Sequence, residues 1–489
     1  MTTTDRPTPE FGVAAHPAVQ RRAGASSRPA SAGHLATVAA VAGSFLAMLD
    51  TTVVNVSLHA TSQQFGDIAA VQWVLTTYML ALCATMTASA WLVERVGPKR
   101  AYAAALTVFG LASLACGLAP SLAFLVGARA VAGAAAGVIT PVSTVLLTRG
   151  VPRERLGVVQ SLQGSVMMIG PLVGPTVGGL LVAGGGWPAV YLVNVPVCAL
   201  LLILTLRLAA DEPGGARRRL DVPGLVSGTL AIVGGIAVVS LIGSVPWTSP
   251  VLWGGALVAL AAGWVFVRRE LSTDQPLLDL TLFRQPIYAW SSLNVFFLGF
   301  SLYAPMIIIP LYLQAARNNG PVSTGLLLSI GGLGVIAAGL VCPALLRRYR
   351  AGRVMVGGLL LTVAGSLPFV WLSDDTPYAL ICAALMIRGA GVSLAVFPAM
   401  TRAYQAIPAA AIADAAPQLN LLTRMGGTLA AALIIMVLRQ GAAAEHGLTS
   451  AVFATASVWS LVATAVTLVP ALLLLVAEGN QRREPGHVG

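Results

Sequence analysis

Charge is scarce in this sequence. Asp, Glu, Lys and Arg make up only 10% of its 489 residues, and Lys99 is the only lysine. Hydrophobic residues reach 57%, with a mean hydropathy of +0.83. No soluble chain of this length has enough interior to hide so much apolar surface, so a water-soluble globular protein is excluded. The five cysteines (Cys83, Cys116, Cys198, Cys342, Cys382) all fall inside apolar runs. Thiols there behave as small hydrophobes, and no disulfide framework is expected. No Gly-rich phosphate loop ending in Lys-Ser/Thr is present, which argues against ATP as a driving force. There is no cluster with metal-ligand spacing, no histidine inside an apolar run, and no stretch between runs long enough for a catalytic domain. Arginine in place of lysine, with abundant Ala and Gly, points to a GC-rich bacterial genome and to no particular chemistry.

Fourteen apolar runs fill the rest, at 35–58, 71–93, 101–118, 122–147, 157–183, 189–208, 222–243, 250–267, 287–313, 323–345, 354–372, 377–399, 415–438 and 452–475. About 20 apolar residues suffice to cross a bilayer as a helix. The sequence therefore predicts an all-α polytopic membrane protein with 14 transmembrane helices. An even count puts both termini on one side, and 24 of the 29 basic residues fall on that side. Arg317 and Arg439 lie on the other, while Arg129, Arg388 and Arg424 lie within runs. Basic residues mark the cytoplasmic face, so both termini are expected in the cytoplasm. The same placement turns the net charge of +11 toward the membrane and away from nucleic acid.

The runs also repeat. Arg129 and Gly133 in the fourth are echoed by Arg388, Gly389 and Gly391 in the twelfth, and a basic loop follows both the second and the tenth. This predicts two six-helix bundles, 35–208 and 287–475, with two helices inserted within 209–286. Such parallel halves are a known transporter construction, with the substrate site between them. Residues 1–34, polar and without a signal-peptide pattern, and 476–489 are expected to be cytoplasmic tails, the first disordered. Residues 276–283 read either as a short interfacial element or as an ordinary loop.

Asp50 sits deep in the first run, and no other acid is placed well inside any run. An ionisable group at that depth is expensive and points to a proton or substrate pathway by default. An acid that merely ties helices together is the competing reading. Asp50 lies about 12 Å and Arg129 about 10 Å from the outer ends of their runs, at 1.5 Å per residue. If their helices are neighbours the two can pair, and protonating Asp50 would release Arg129. His59, at the end of its run, is expected to be a solvated interfacial residue.

Several motifs carry a resemblance. Leu49, Asp50, Thr52, Val53, Val54, Asn55, Val56 and Leu58 are similar to the first-helix signature of the fourteen-span drug:proton antiporter family of the major facilitator superfamily. Ser57 and His59 stand where the family usually has Ala and Pro. Glu94, Arg95, Gly97 and Lys99 resemble the superfamily's cytoplasmic gate signature, with Ala90, Glu94 and Pro98 as departures from it. Gly170, Pro171, Gly174, Pro175, Gly178 and Gly179 match its exporter signature, and small residues at this spacing permit close helix approach. Weaker matches are residues 187–196, ending in Tyr191 to Pro196, and 420–427, with Asn420, Arg424 and Gly427.

The resemblance implies the major facilitator fold and a proton-coupling role for Asp50 and Arg129. Polar and aromatic candidates for a substrate cavity are Asn55, Tyr78, Gln160, Gln163, Asn294, Tyr303, Gln418 and Arg424. Each is also a candidate for a plain helix–helix hydrogen bond. The expected function is proton-coupled antiport, without a cofactor beyond the proton gradient, of lipophilic drugs or an endogenous antibiotic across the cell membrane. The expected partners are the small-molecule substrate, protons and the lipid bilayer, and the expected state is a monomer. An importer of a small metabolite is the alternative within transport. A membrane-embedded enzyme or sensor needs a polar cluster that the sequence lacks.

Overall fold

The structure is a computed structural model that describes residues 30–65, 71, 73–148, 151, 156–208, 221–241, 245–246, 248–273, 276–408, 411–445 and 447–480. It is built from helices throughout, as lipid demands: with no water to satisfy backbone N–H and C=O groups, a spanning segment must bond them internally. In chain order these are α1 Ala30–Phe65, α2 Trp73–Val96, α3 Pro98–Gly117, α4 Leu122–Thr148, α5 Leu156–Leu192, α6 Asn194–Leu208, α7 Val222–Leu241 and α8 Pro250–Ser272. There follow α9 Pro286–Leu311, α10 Pro321–Arg348, α11 Ala351–Ser366, α12 Tyr378–Gln405, α13 Ile412–Ala444, α14 Ser450–Val466 and α15 Leu468–Asn480. Four of them (α3, α8, α9, α10) begin on proline, which has no N–H to waste at a position where that N–H has no helical partner.

Among the described residues, ten helices are long and apolar enough to cross a membrane. An eleventh is the pair Thr176–Leu192 and Asn194–Arg207, bent by 41°. Two further apolar helices, Val38–Val54 and Val222–Val238, are shorter. The structure thus gives about ten to eleven spans by length and composition, against the fourteen read from the sequence. Boundaries differ too. α1 starts at Ala30 and runs to Phe65, beyond the 35–58 window on both sides, because backbone bonding continues past the apolar stretch. His59 therefore lies inside the helix and not at its end. α5 covers the fifth run and the start of the sixth, but two helices meet within it at Gly186 (φ 69°, ψ −175°), a conformation open to a residue without Cβ.

Packing follows a repeat. α1 packs on α4, α5 and α6, α2 on α4, and α3 on α4 and α6. Eight elements later α9 packs on α12, α13 and the α14–α15 pair, α10 on α12, and α11 on α12 and that same pair. The two sets meet through α5 against α10 and α12, and through α13 against α2 and α4. α7 and α8 pack on each other, and α7 reaches α2 and α13. α8 stays largely uncovered, with Trp253, Leu257, Leu260 and Trp264 all exposed.

Between α8 and α9 the chain forms a short 3-10 turn, Leu280–Arg284, capped by Asp279, whose Oδ1 accepts from the Thr281 N–H at 2.9 Å. Glu270 is buried beside this strap, a buried acid outside the windows read from the sequence. Its Oε2 accepts from the Leu278 N–H at 3.0 Å. Asp221 at the start of α7 pairs with Arg269 of α8 at 2.7 Å, closing the hairpin at its base.

Candidate functional site

The first long apolar stretch winds α1 so that Asp50 turns into the bundle, where α1, α4 and α6 pack together. Asp50 as a residue is only 3% exposed, and its carboxyl and the Arg129 guanidinium on α4 are both wholly buried. They form a direct ion pair, with Arg129 Nη1 donating to Asp50 Oδ2 at 2.7 Å. The other carboxylate oxygen, Oδ1, accepts from the Asn194 amide at 2.8 Å, and Asn194 Nδ2 also lies 3.4 Å from Ser113 Oγ on α3. Arg129 Nε donates to the Val74 carbonyl at 3.3 Å. The guanidinium sits 4.0 Å from the centre of the Tyr78 ring, and Tyr78 in turn donates its hydroxyl to the Ala47 carbonyl at 3.3 Å. The Tyr191 ring centre lies 5.7 Å from the same guanidinium. Arg129 Nη2 and the Tyr191 hydroxyl have no hydrogen-bond partner among the described residues.

Two charges taken out of water each cost several kcal/mol, and their attraction repays this only where geometry is good and remaining donors and acceptors are satisfied. Here both carboxylate oxygens are engaged and the arginine is bonded through Nη1 and Nε and lies over Tyr78, leaving Nη2 as its one unpartnered donor, and the pair holds α1, α2, α4 and α6 together while the acid is ionised. Protonation removes one charge, turns the ion pair into a neutral contact and leaves a lone buried guanidinium. One proton therefore changes how α1 and α4 hold each other. Room for this cluster comes from glycine: at Gly133, one turn beyond Arg129, a Cβ would run into the Tyr78 backbone, so α2 and α4 can approach only with glycine there.

The α5 motif splits on inspection. A Cβ at Gly174 would strike the Thr52 side chain, while one at Gly170 would touch Met48 and Leu49, so both glycines seat α5 against the segment of α1 that carries Asp50. Gly178 is buried. Gly179 has nothing within 4 Å of a Cβ. The side chains of Pro171 and Pro175 lie outside the described residues. Gly174→Val is expected to destabilise by about 1–3 kcal/mol through overpacking, seen as a lower unfolding temperature of the detergent-solubilised protein. Gly179→Val, measured alongside, should leave it unchanged.

At the α2–α3 junction Gly97 is the only connecting residue, with φ 85° and ψ 153°, buried and followed at once by Pro98. Pro98, a departure from the gate signature, is the first residue of α3, where its fixed φ suits a helix start. Glu94 and Lys99 are half-buried, and Arg95 is exposed with its guanidinium 5.4 Å from the Trp91 ring centre.

The cavity candidates disperse. Tyr78 belongs to the Asp50 cluster. Gln163 is buried and donates to Ser143 Oγ (3.3 Å) and Thr144 Oγ1 (3.1 Å), and Ser143 bonds onward to Ser44, forming a polar seam between α5, α4 and α1. Asn294 is buried and donates to the Thr467 carbonyl at 3.2 Å. Gln418 accepts from the Tyr288 hydroxyl at 2.8 Å and donates to the Asp279 carbonyl at 2.9 Å, so it fastens the 3-10 strap. Tyr303 is half-buried with its ring against Gly427. Arg424 is half-buried on α13, a helix that packs against α2 of the other half. The side chains of Asn55 and Gln160 lie outside the described residues.

Sequence reasoning missed Asn194 as a partner of Asp50, and Ser113 as a partner of Asn194. The signal for the first lay in residues 191–196, where an asparagine precedes an in-run proline by two residues.

Comparison with known proteins gives one family. The model described as Major Facilitator Superfamily matches residues 40–431. Among curated relatives, the chain is 32% identical over 411 residues to the methylenomycin A resistance protein of Streptomyces coelicolor, covering 83% of this chain and 86% of that one. It is 30% identical over 413 residues to the multidrug resistance protein Stp of Mycobacterium tuberculosis, covering 83% and 75%. In fold it is similar to the Escherichia coli fucose:proton symporter FucP (TM-score 0.61, 11% identity, 90% and 98% covered). It is also similar to the proton:xylose symporter XylE (TM-score 0.60, 13% identity, 88% and 95% covered).

Proposed function

The chain belongs to the Major Facilitator Superfamily, and from that premise we propose that it is a proton-coupled antiporter exporting lipophilic drugs or an endogenous antibiotic by alternating access. The observation that carries the reading is the buried Asp50–Arg129 pair, an acid and its counter-ion both withdrawn from water in the helices α1 and α4. In the outward-open form Asp50 takes a proton and lets go of Arg129. In the inward-open form substrate loads, the proton leaves to the cytoplasm and the ion pair re-forms. The direction of transport is supported by the resemblance of the α5 glycine–proline motif to the exporter signature and by the names of the resistance-protein relatives.

The fourteen-span drug:proton branch is the finer placement. It takes α1–α6 (35–208) and α9–α15 (287–475) as the two bundles and α7–α8 (within 209–286) as the insertion. The repeated packing supports this division. Both termini are placed in the cytoplasm by the arginine asymmetry, and the protein is taken to work as a monomer, without a cofactor.

The test uses everted membrane vesicles carrying a pH gradient, offered a dye, a tetracycline-like compound and a macrocycle. A transported compound is expected to collapse part of the gradient on addition. In whole cells an uncoupler should raise accumulation of the same compound. Uptake that an uncoupler lowers, with no gradient collapse, would make the protein an importer.

A further inference from the structure

The repeat supplies an internal comparison for the Asp50 cluster. Arg388 on α12 occupies the place of Arg129, is also buried, and donates to the Ser301 carbonyl and, through Nε at 3.2 Å, to Ser366 Oγ. Ser301 on α9, the counterpart of α1, thus meets its arginine through a backbone carbonyl where Asp50 uses a carboxylate, and Ser366 at the end of α11, the counterpart of α3, accepts from the arginine where Ser113 accepts from Asn194. The partner of Ser301 is Thr464 on α14, hydroxyl to hydroxyl at 2.9 Å, and it fills the place of Asn194. The C-terminal half has therefore kept the arginine and the α11 serine but holds Ser301 for the acid and Thr464 for the amide. Arginine and serine occur with or without a carboxylate, and the amide occurs only with one. An asparagine needed merely to pack the first helix of a half on its sixth would have no reason to follow the acid.

We propose that Asn194 is a positioning residue for the proton site, keeping the Asp50 carboxyl aimed at Arg129 in both protonation states. This rests on the antiporter reading. An amide carries two N–H donors and one carbonyl acceptor. In the ionised state its N–H holds Oδ1 at 2.8 Å while Oδ2 faces Arg129. The incoming proton goes onto Oδ2, breaking the bond to Arg129, and Asn194 retains Oδ1, so the carboxyl is still aimed when the proton leaves. Asn194 opens α6, next to Val193 where the chain bends, with Pro196 two residues on. It is therefore anchored at a point of the backbone that no continuous helix ladder constrains. The titratable and charged groups facing Asp50 are Arg129 from α4, Tyr78 from α2, Cys116 from α3, Tyr191 from α5 and Cys198 from α6. Of these only Arg129 brings a full charge.

The test is the pH dependence of substrate-driven proton release in proteoliposomes. Removing a donor from the ionised form weakens that form, so Asn194→Leu should move the midpoint to higher pH by about one unit, a roughly tenfold change in proton affinity. Thr464→Val, the matching change in the C-terminal half, should leave the midpoint in place. Should Asn194→Leu fail to accumulate, Asn194→Thr, which copies the other half, is read in the same way and should shift it in the same direction. An unshifted midpoint, or an equal shift from Thr464→Val, would overturn the proposal. Asp50→Asn separates the two levels: if it leaves coupling intact the antiporter reading falls. If it uncouples while the residue-194 variants keep the wild-type midpoint, only the role of Asn194 falls.

Discussion

Asp50→Asn is expected to bring substrate-driven proton movement down to the level of protein-free liposomes while exchange of labelled for unlabelled substrate continues. Asparagine matches aspartate in shape and still offers its one oxygen to Arg129, its NH2 facing Asn194 in place of the second oxygen, but it takes up no proton in the working pH range. The cycle then has no step at which proton arrival releases Arg129. Exchange requires only that the loaded protein reorient, and no net proton passes, so it reports whether the variant is folded and binds. Among the described residues the other buried acids are Asp221 and Glu270, both held at the base of the α7–α8 hairpin by Arg269 and the Leu278 N–H. Neither is placed to substitute. Proton flux at wild-type rates in Asp50→Asn would remove the acid from the mechanism, and loss of exchange as well would show a folding defect.

The ease of finding Asp50 and Arg129 in the sequence has a physical cause. A charge inside a long apolar run stands out because hydrocarbon tolerates so few of them. Polar but uncharged groups give no such contrast. Gln418 and Asn294 look the same in sequence as a ligand contact would. Only their directions show that one fastens the 279–284 strap and the other bonds the end of α14. Asn194 is the opposite error: it stands only within the weak match at residues 187–196, with no charge to single it out, though it reaches the carboxylate. The exporter motif was visible as spacing, yet spacing does not tell Gly174, which faces Thr52, from Gly179, which faces open space. The span count is less legible for a related reason. A helix such as α1 extends beyond its apolar stretch, while α7 is apolar over a length shorter than a comfortable crossing.

Arg129→Gln is expected to cost about 3–5 kcal/mol, because it leaves the Asp50 charge buried without its counter-ion. The measurement is thermal unfolding in detergent at a pH where wild-type Asp50 is ionised. Asp50→Asn alone should be destabilised by a comparable amount, since it strands the guanidinium instead. The double variant Asp50→Asn with Arg129→Gln should lie within about 1 kcal/mol of wild type, as two buried charges removed together leave no unpaired one. Arg129→Lys should behave like the glutamine variant for transport. An ammonium cannot at once bond Asp50, reach the Val74 carbonyl and lie flat on Tyr78, which the planar guanidinium does from one position. The stability cycle also discriminates between two pictures of the site. A large positive coupling between the two substitutions means that the acid is held ionised by the arginine and that protonation is the event that frees it. Additive effects would mean that Asp50 is already neutral in this conformation, with Arg129 serving as a helix tie, and the trigger would then have to lie elsewhere in the cycle.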